Sequence, residues 1–219
     1  MSMGDFFKSA AILASIHPKW CKRIFEGSKT VEIRKSMPKL NPPFTVYIYC
    51  TLPDRKSMHR SGCIVISTDD LFRLPDGRLK HDWSGELMTC PEGTWGKNNF
   101  LNGKVIGKAV CDRIDPIHVF PDGAVQNWMY AEAEKSGLSY EEVAAYIGAG
   151  KTGYAWRLKN PVLFDEPRPI QTFHRPCPYP LFCESCGMFN VHPDPGFCGN
   201  AALQLKRPPQ SWLYVDYVL

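Results

Sequence analysis

The chain reads as an α+β protein built on a small, partly closed β-barrel with flanking helices. Three observations predict this. Five or six β-prone segments are spread along the whole sequence, the helices between them are short, and strands at opposite ends of the chain must meet to bury their apolar faces. At 219 residues, 44% hydrophobic and 22% charged, the chain can bury a core of that size.

The elements follow in order. Residues 11–16 are apolar and form the first strand; the stretch Phe6 to Ile16 is too short in apolar residues for an export signal, with Asp5 ahead of it. Pro18 suits the first turn of a helix, because its missing N–H would be unpaired there. Trp20, Ile24 and Phe25 supply a helical stripe, and Gly27 ends it. Residues 30–34 alternate, with Val31 and Ile33 on one face and Thr30, Glu32 and Arg34 on the other. Phe44 to Cys50 is a nearly continuous β-prone run, as in a strand covered on both sides.

Residues 52–102 read as an insertion with partial structure, including a strand at 62–67 and a Pro75-Asp76-Gly77 turn. A strand is expected over 103–114, broken by Pro116. Helices follow at about 125–135 and 139–147, the second opened by a capping box of Ser139 and Glu142. Residues 154–164 return to strand, and 212–219 close the barrel.

Charge is unevenly placed. Residues 1–60 carry 11 Lys/Arg against 4 Asp/Glu, while the whole chain nets only +4, so one end is basic. No apolar run approaches the roughly 20 residues of a spanning helix. Scattered single cysteines, one tight cluster and no export signal point to a reducing compartment, the cytoplasm.

That cluster is Cys177, Cys183, Cys186 and Cys198. Cys-x-x-Cys-Gly places two thiolates on one ion, and the glycine permits a turn that aims N–H groups at sulfur. Four soft ligands favour a structural zinc with no open position, and His174 or His192 could stand in for Cys177. Redox pairs share the spacing, but no thioredoxin-like context surrounds this one. Residues 174–200 therefore read as a zinc-stabilised loop, between a domain at 1–173 and the closing strand at 201–219.

The most specific local feature is Gly27-Ser28-Lys29-Thr30-Val31-Glu32-Ile33-Arg34. A cation, an acid and a guanidinium on one element can recognise phosphate or a polar base edge. The plain alternative is a surface Glu32–Arg34 ion pair worth about 0–1 kcal/mol. Trp20, Tyr154 and Trp156 could stack on bases; Trp20 and Trp156 could instead simply fill the core. Lys151, in the Gly148–Gly153 loop, could follow a nucleic-acid backbone; that loop lacks P-loop spacing.

This Gly-x-Lys-x-x-Glu-x-Arg segment resembles the ASCH family of the PUA-like superfamily. The resemblance extends to Ser15-Ile16-His17-Pro18, Tyr47 to Thr51, Gly103 to Gly107, Tyr146-Ile147-Gly148, Tyr154 to Leu158, and Arg207 to Trp212. It implies a PUA-like barrel, a cleft near this loop and binding of RNA or a modified nucleotide. Some members hydrolyse an acylated cytidine, and Lys29 matches their lysine. Their threonine is replaced by Glu32, and a hydroxyl cannot become a carboxylate without changing the chemistry. Thr30 is a substitute on the same face, and a Lys29/Glu32 pair could act as acid and base if burial moved both towards neutrality. The expected function is a nucleic-acid-binding module through Lys29, Glu32, Arg34, Trp20, Lys151 and Tyr154. The alternatives are a hydrolase of a modified nucleoside or of RNA, and a protein-interaction domain using the insertion.

Overall fold

The structure is a computed structural model that describes residues 10–52, 71–73, 79–81, 101–126, 128–177 and 201–216. The expected strand at 62–67, the turn at 75–77, most of the insertion, and residues 183, 186, 192, 198 and 217–219 lie outside these.

Strand β1 (Ala10–Ile16) leads directly into helix α1 (Pro18–Phe25), with Pro18 at the helix start. One side of α1 buries Pro18, Cys21, Ile24 and Phe25. Gly27, at φ +79°, supplies the left-handed residue that turns the chain out of the helix. Strands β2 (Val31–Arg34) and β3 (Phe44–Cys50) follow. A small antiparallel pair, β4 (Leu71–Arg73) and β5 (Leu79–His81), lies within the insertion. Next come β6 (Lys104–His118), α2 (Trp128–Ser136), α3 (Tyr140–Ile147), β7 (Thr152–Arg168) and β8 (Trp212–Asp216). Helix α3 carries the expected capping box: Ser139 Oγ accepts from the Glu142 N–H, and Glu142 Oε2 accepts from the Ser139 N–H at 2.8 Å.

Six strands form one mixed sheet in the order β2-β7-β6-β3-β1-β8. β1 runs parallel to β3 and antiparallel to β8, so the start and the end of the chain pair with each other. Both β1 and β3 are covered on two faces. Ile12, Ala14, Val46 and Ile48 face an inner core, while Leu13, Tyr47 and Tyr49 face a second one with Phe173 and Val215. Trp156 sits fully buried in the inner core, edge-on to Phe44 at 6.1 Å, which makes it a core residue and not a stacking platform. A third core lies between β2, β7 and the helix pair α2–α3.

Two expectations are corrected. β6 does not break at Pro116 but runs to His118. β3 pairs with β6 only as far as Cys111, so beyond that point no described strand pairs with that edge of β6 and the missing proline N–H interrupts no ladder among the described residues. The polar face of β2 is not a solvated surface either: Glu32 and Arg34 are buried, as are Val31 and Ile33.

The reason lies in how the sheet ends meet. β2 and β8 occupy opposite ends, and among the described residues no backbone ladder joins them. Side chains do so instead. Arg34 Nη1 donates to Ser211 Oγ at 3.1 Å and Nη2 to the Ser15 carbonyl at 2.9 Å. Trp212 Nε1 donates to Ser36 Oγ at 3.1 Å, and the Lys39 N–H to the Tyr214 hydroxyl at 2.7 Å. The sheet curls until its ends are close enough for these bonds, and β2's polar face turns inward beneath the join.

Candidate functional site

Lys29 follows directly from the Gly27 turn. Its own N–H bonds back to the Arg23 carbonyl at 2.9 Å, which aims the side chain inward. Only 2% exposed, Nζ donates to the Val31 carbonyl at 2.8 Å and the Ser136 carbonyl at 2.6 Å, and pairs with Glu32 Oε2 at 3.1 Å. An ammonium group has three N–H donors, and these three acceptors occupy all of them. The Ser136 carbonyl lies at the C-terminal end of α2, where a cation is favoured by the helix dipole.

Glu32 stands between two cations: Lys29 on Oε2, and Arg34 Nη2 on Oε1 at 3.0 Å. Burial alone would push its carboxyl up. The charges of Lys29 and Arg34, with their hydrogen bonds, nevertheless hold it below the ordinary carboxylate value. It is thus fixed as an anion. Arg34 is itself almost enclosed and satisfied by Ser15, Ser211 and Glu32, except that its buried Nε has no partner among the described residues.

Above this triad opens a cleft of about 260 Å³. β1, α1 and the residue between them contribute Ser15, Trp20 and His17; β2 and the turn before it contribute Glu32, Arg34 and Lys29; Leu138, Glu142 and Tyr146 come from α3 and the turn before it. Burial and then the nearby Lys19 charge lower the His17 pKa, so its imidazole is neutral at pH 7. The rim is cationic. Lys19 Nζ lies 4.1 Å and the Arg23 guanidinium 5.4 Å from the centre of the Trp20 ring, and Lys35 Nζ lies 4.9 Å from that of Tyr146.

Four of the residues singled out from the sequence, Trp20, Lys29, Glu32 and Arg34, therefore meet in one place. Thr30, Lys151 and Tyr154 do not line this cleft. Thr30 and Lys151 are exposed, and Tyr154 packs against the inner core opposite Arg34 in the β2–β7 ladder. Sequence reasoning did not name Ser15, His17, Glu142 or Tyr146 as site residues, although the motif segments containing Ser15, His17 and Tyr146 were already in view. Nothing local announced Glu142 beyond its capping role.

Of the cysteine cluster only Cys177 is described; it is half-buried and has no disulfide partner among the described residues. Among the described residues no group of three or more His, Cys, Asp or Glu could hold a metal ion, and no helix is long and apolar enough to cross a membrane. Cys21, Cys50 and Cys111 are buried free thiols, with burial pushing Cys111 up to about 12.

The cleft's floor and one wall come from a continuous stretch beginning at Ser15, and that stretch carries the family signal. Residues 15–69 match the ASCH domain model. The ASCH match thus spans Ser15, His17, Trp20, Lys29, Glu32 and Arg34. The mixed six-stranded sheet with few helices is consistent with the fold of that domain. No curated protein matches the chain. Among solved structures, ASCH from Zymomonas mobilis is 18% identical, with 93% of this chain and 86% of that one covered at a TM-score of 0.44. A tyrosine-to-phenylalanine variant of it is 17% identical over 73% and 76% of the two chains, with a TM-score of 0.43. A serine-to-alanine variant is 15% identical over 93% and 87%, with a TM-score of 0.47.

Proposed function

We propose that the protein binds single-stranded RNA, taking one base into the cleft above Glu32 while the rim cations hold the flanking phosphates. The observation that carries this reading is the layout of the cleft: aromatic Trp20 and Tyr146 and the anion Glu32 line it, and exposed Lys19, Arg23 and Lys35 lie beside those two rings. At about 260 Å³ it lies just below the ~300–1,000 Å³ of drug-sized pockets, which suits one base or nucleoside and not a folded tract. Recognition of unstacked bases beside aromatic side chains is the common mode for single-stranded RNA. The ASCH match over the segment that builds the site, and the link of that family to RNA, add support.

The same geometry favours binding over hydrolysis. With its three donors occupied, Lys29 has none to offer a substrate, and Glu32, held as an anion, is a poor general acid. Thr30 lines no part of the cleft.

The test is fluorescence anisotropy with a labelled single-stranded RNA across a salt series. Lys19→Ala and Lys35→Ala are each expected to weaken binding and to lower the magnitude of the salt slope by about 0.7 to 1. No measurable affinity at low salt, or an unchanged slope in the double variant, refutes the reading. Turnover of acetylated cytidine by the purified protein would replace it with the hydrolase.

A further inference from the structure

We infer that the base taken by the cleft is guanine, selected by the carboxylate of Glu32. This rests on the RNA-binding reading for the site but adds to it the identity of the base and the group that reads it.

The argument starts from which polar atoms at the cleft floor remain available. Lys29 lines the cleft but has no free donor. Arg34 directs its terminal nitrogens to Ser15, Ser211 and Glu32, and its Nε is buried, without a partner among the described residues. The two cations on the floor are therefore unavailable to a phosphate. Glu32 differs. Each carboxylate oxygen accepts about two hydrogen bonds, and among the described residues each is engaged once, Oε1 by Arg34 and Oε2 by Lys29. That count leaves one acceptor site on each of the two neighbouring oxygens, on a side chain that is 12% exposed and lines the cleft. Glu142, on the opposite wall, adds a second acceptor-bearing group. At Glu32, then, the cleft floor calls for a pair of adjacent donors.

Among the four RNA bases only guanine presents that pattern. Its N1–H and N2–H₂ lie next to each other on the Watson–Crick edge and can meet both oxygens of one carboxylate. Adenine and cytosine each set one amino donor beside a ring-nitrogen acceptor, which would face a carboxylate oxygen lone pair to lone pair. Uracil flanks its single N–H with two carbonyls. The flanking cations do not spoil this selection. By keeping Glu32 ionised they make both bonds charge-assisted.

The experiment measures affinities of five-nucleotide RNAs that differ only at the central base, carrying guanine, adenine, cytosine, uracil or hypoxanthine, with GMP and AMP as free-nucleotide arms. Guanine is expected to bind about 10–100-fold tighter than adenine, cytosine or uracil. Hypoxanthine, which keeps N1–H but lacks the 2-amino group, should fall between. Glu32→Gln should abolish the difference between guanine and adenine. If that variant does not fold, the hypoxanthine comparison on the unaltered protein still decides the matter. Equal binding of all five RNAs overturns the guanine assignment and leaves the RNA reading standing. Preference for GMP over AMP without RNA binding supports the assignment and removes the RNA reading. Binding of neither RNA nor nucleotide overturns both.

Discussion

Replacing Lys29 by methionine isolates what the buried ammonium does. The change keeps the length of the side chain and much of its volume but removes three donors at once. Glu32 is left with Arg34 as its one remaining cation, and the Val31 and Ser136 carbonyls lose their Nζ partner. Breaking a buried ion pair from one side costs about 3–5 kcal/mol, because the other charge stays buried. Arg34 still offsets part of that, so a loss of about 3 kcal/mol is expected. With urea slopes of about 1–3 kcal/mol/M, the unfolding midpoint should fall by about 1–3 M. The pH dependence has a definite sign. In the native protein the Glu32 carboxyl lies below its unfolded value of about 4.3. Its contribution is therefore present above that value and is lost as pH falls through the folded one. In Lys29→Met the carboxyl loses a stabilising charge and its pKa rises, so the gap between the two proteins should narrow as pH falls from neutral towards 3. Urea titrations of both proteins at pH 7 and at pH 4 measure this. A loss below about 1 kcal/mol at pH 7, or reduced RNA affinity at unchanged stability, would show that Lys29 is free for a ligand and refute the reasoning.

Gly107→Ala should be among the most damaging single-methyl additions. A Cβ there would press on the Val162 carbonyl and come within 2.7 Å of the Phe25 ring, so a loss of about 3 kcal/mol or more is expected in thermal or urea unfolding. Burial pushes the Asp216 carboxyl up to about 6, above an unfolded value near 3.9. The stability it contributes is full below pH ~3.9 and is lost as pH rises through about 6, so Asp216→Asn should raise the melting temperature at pH 8 and change little at pH 4. The zinc proposal predicts one zinc per chain by elemental analysis of protein purified without added metal. Cys183→Ser or Cys186→Ser should lose that zinc and make residues 174–200 protease-sensitive, while the far-ultraviolet circular dichroism of the sheet persists.

What was legible in advance was local. β3 shows as a continuous apolar run, α1 as a proline start with a glycine stop, and α3 as a capping box; each of these signals lies within about ten residues of the element it forms. What was not legible depends on distant parts of the chain. Pro116 reads as a strand breaker until it is known that β3 has already ended alongside β6. The alternation in β2 reads as one wet face and one dry face, because alternation carries no information about what covers the polar side. Here that side is covered by Ser211, 177 positions from Arg34, and by Ser136, 107 positions from Lys29. These contacts change the chemistry of the motif. On a free strand Lys29 and Arg34 would be phosphate-binding cations and Glu32 their incidental partner. With α2 and the start of β8 closing over them, the cations become the internal support of an ionised Glu32. The donors of Lys29 and the terminal nitrogens of Arg34 are thereby engaged internally, and the proposed reading of the cleft floor changes from a donor surface to an acceptor surface without altering one residue of the Gly-x-Lys-x-x-Glu-x-Arg segment. In the proposed RNA complex, phosphate recognition falls to Lys19, Arg23 and Lys35, which lie outside that triad, beside the aromatic rings of Trp20 and Tyr146.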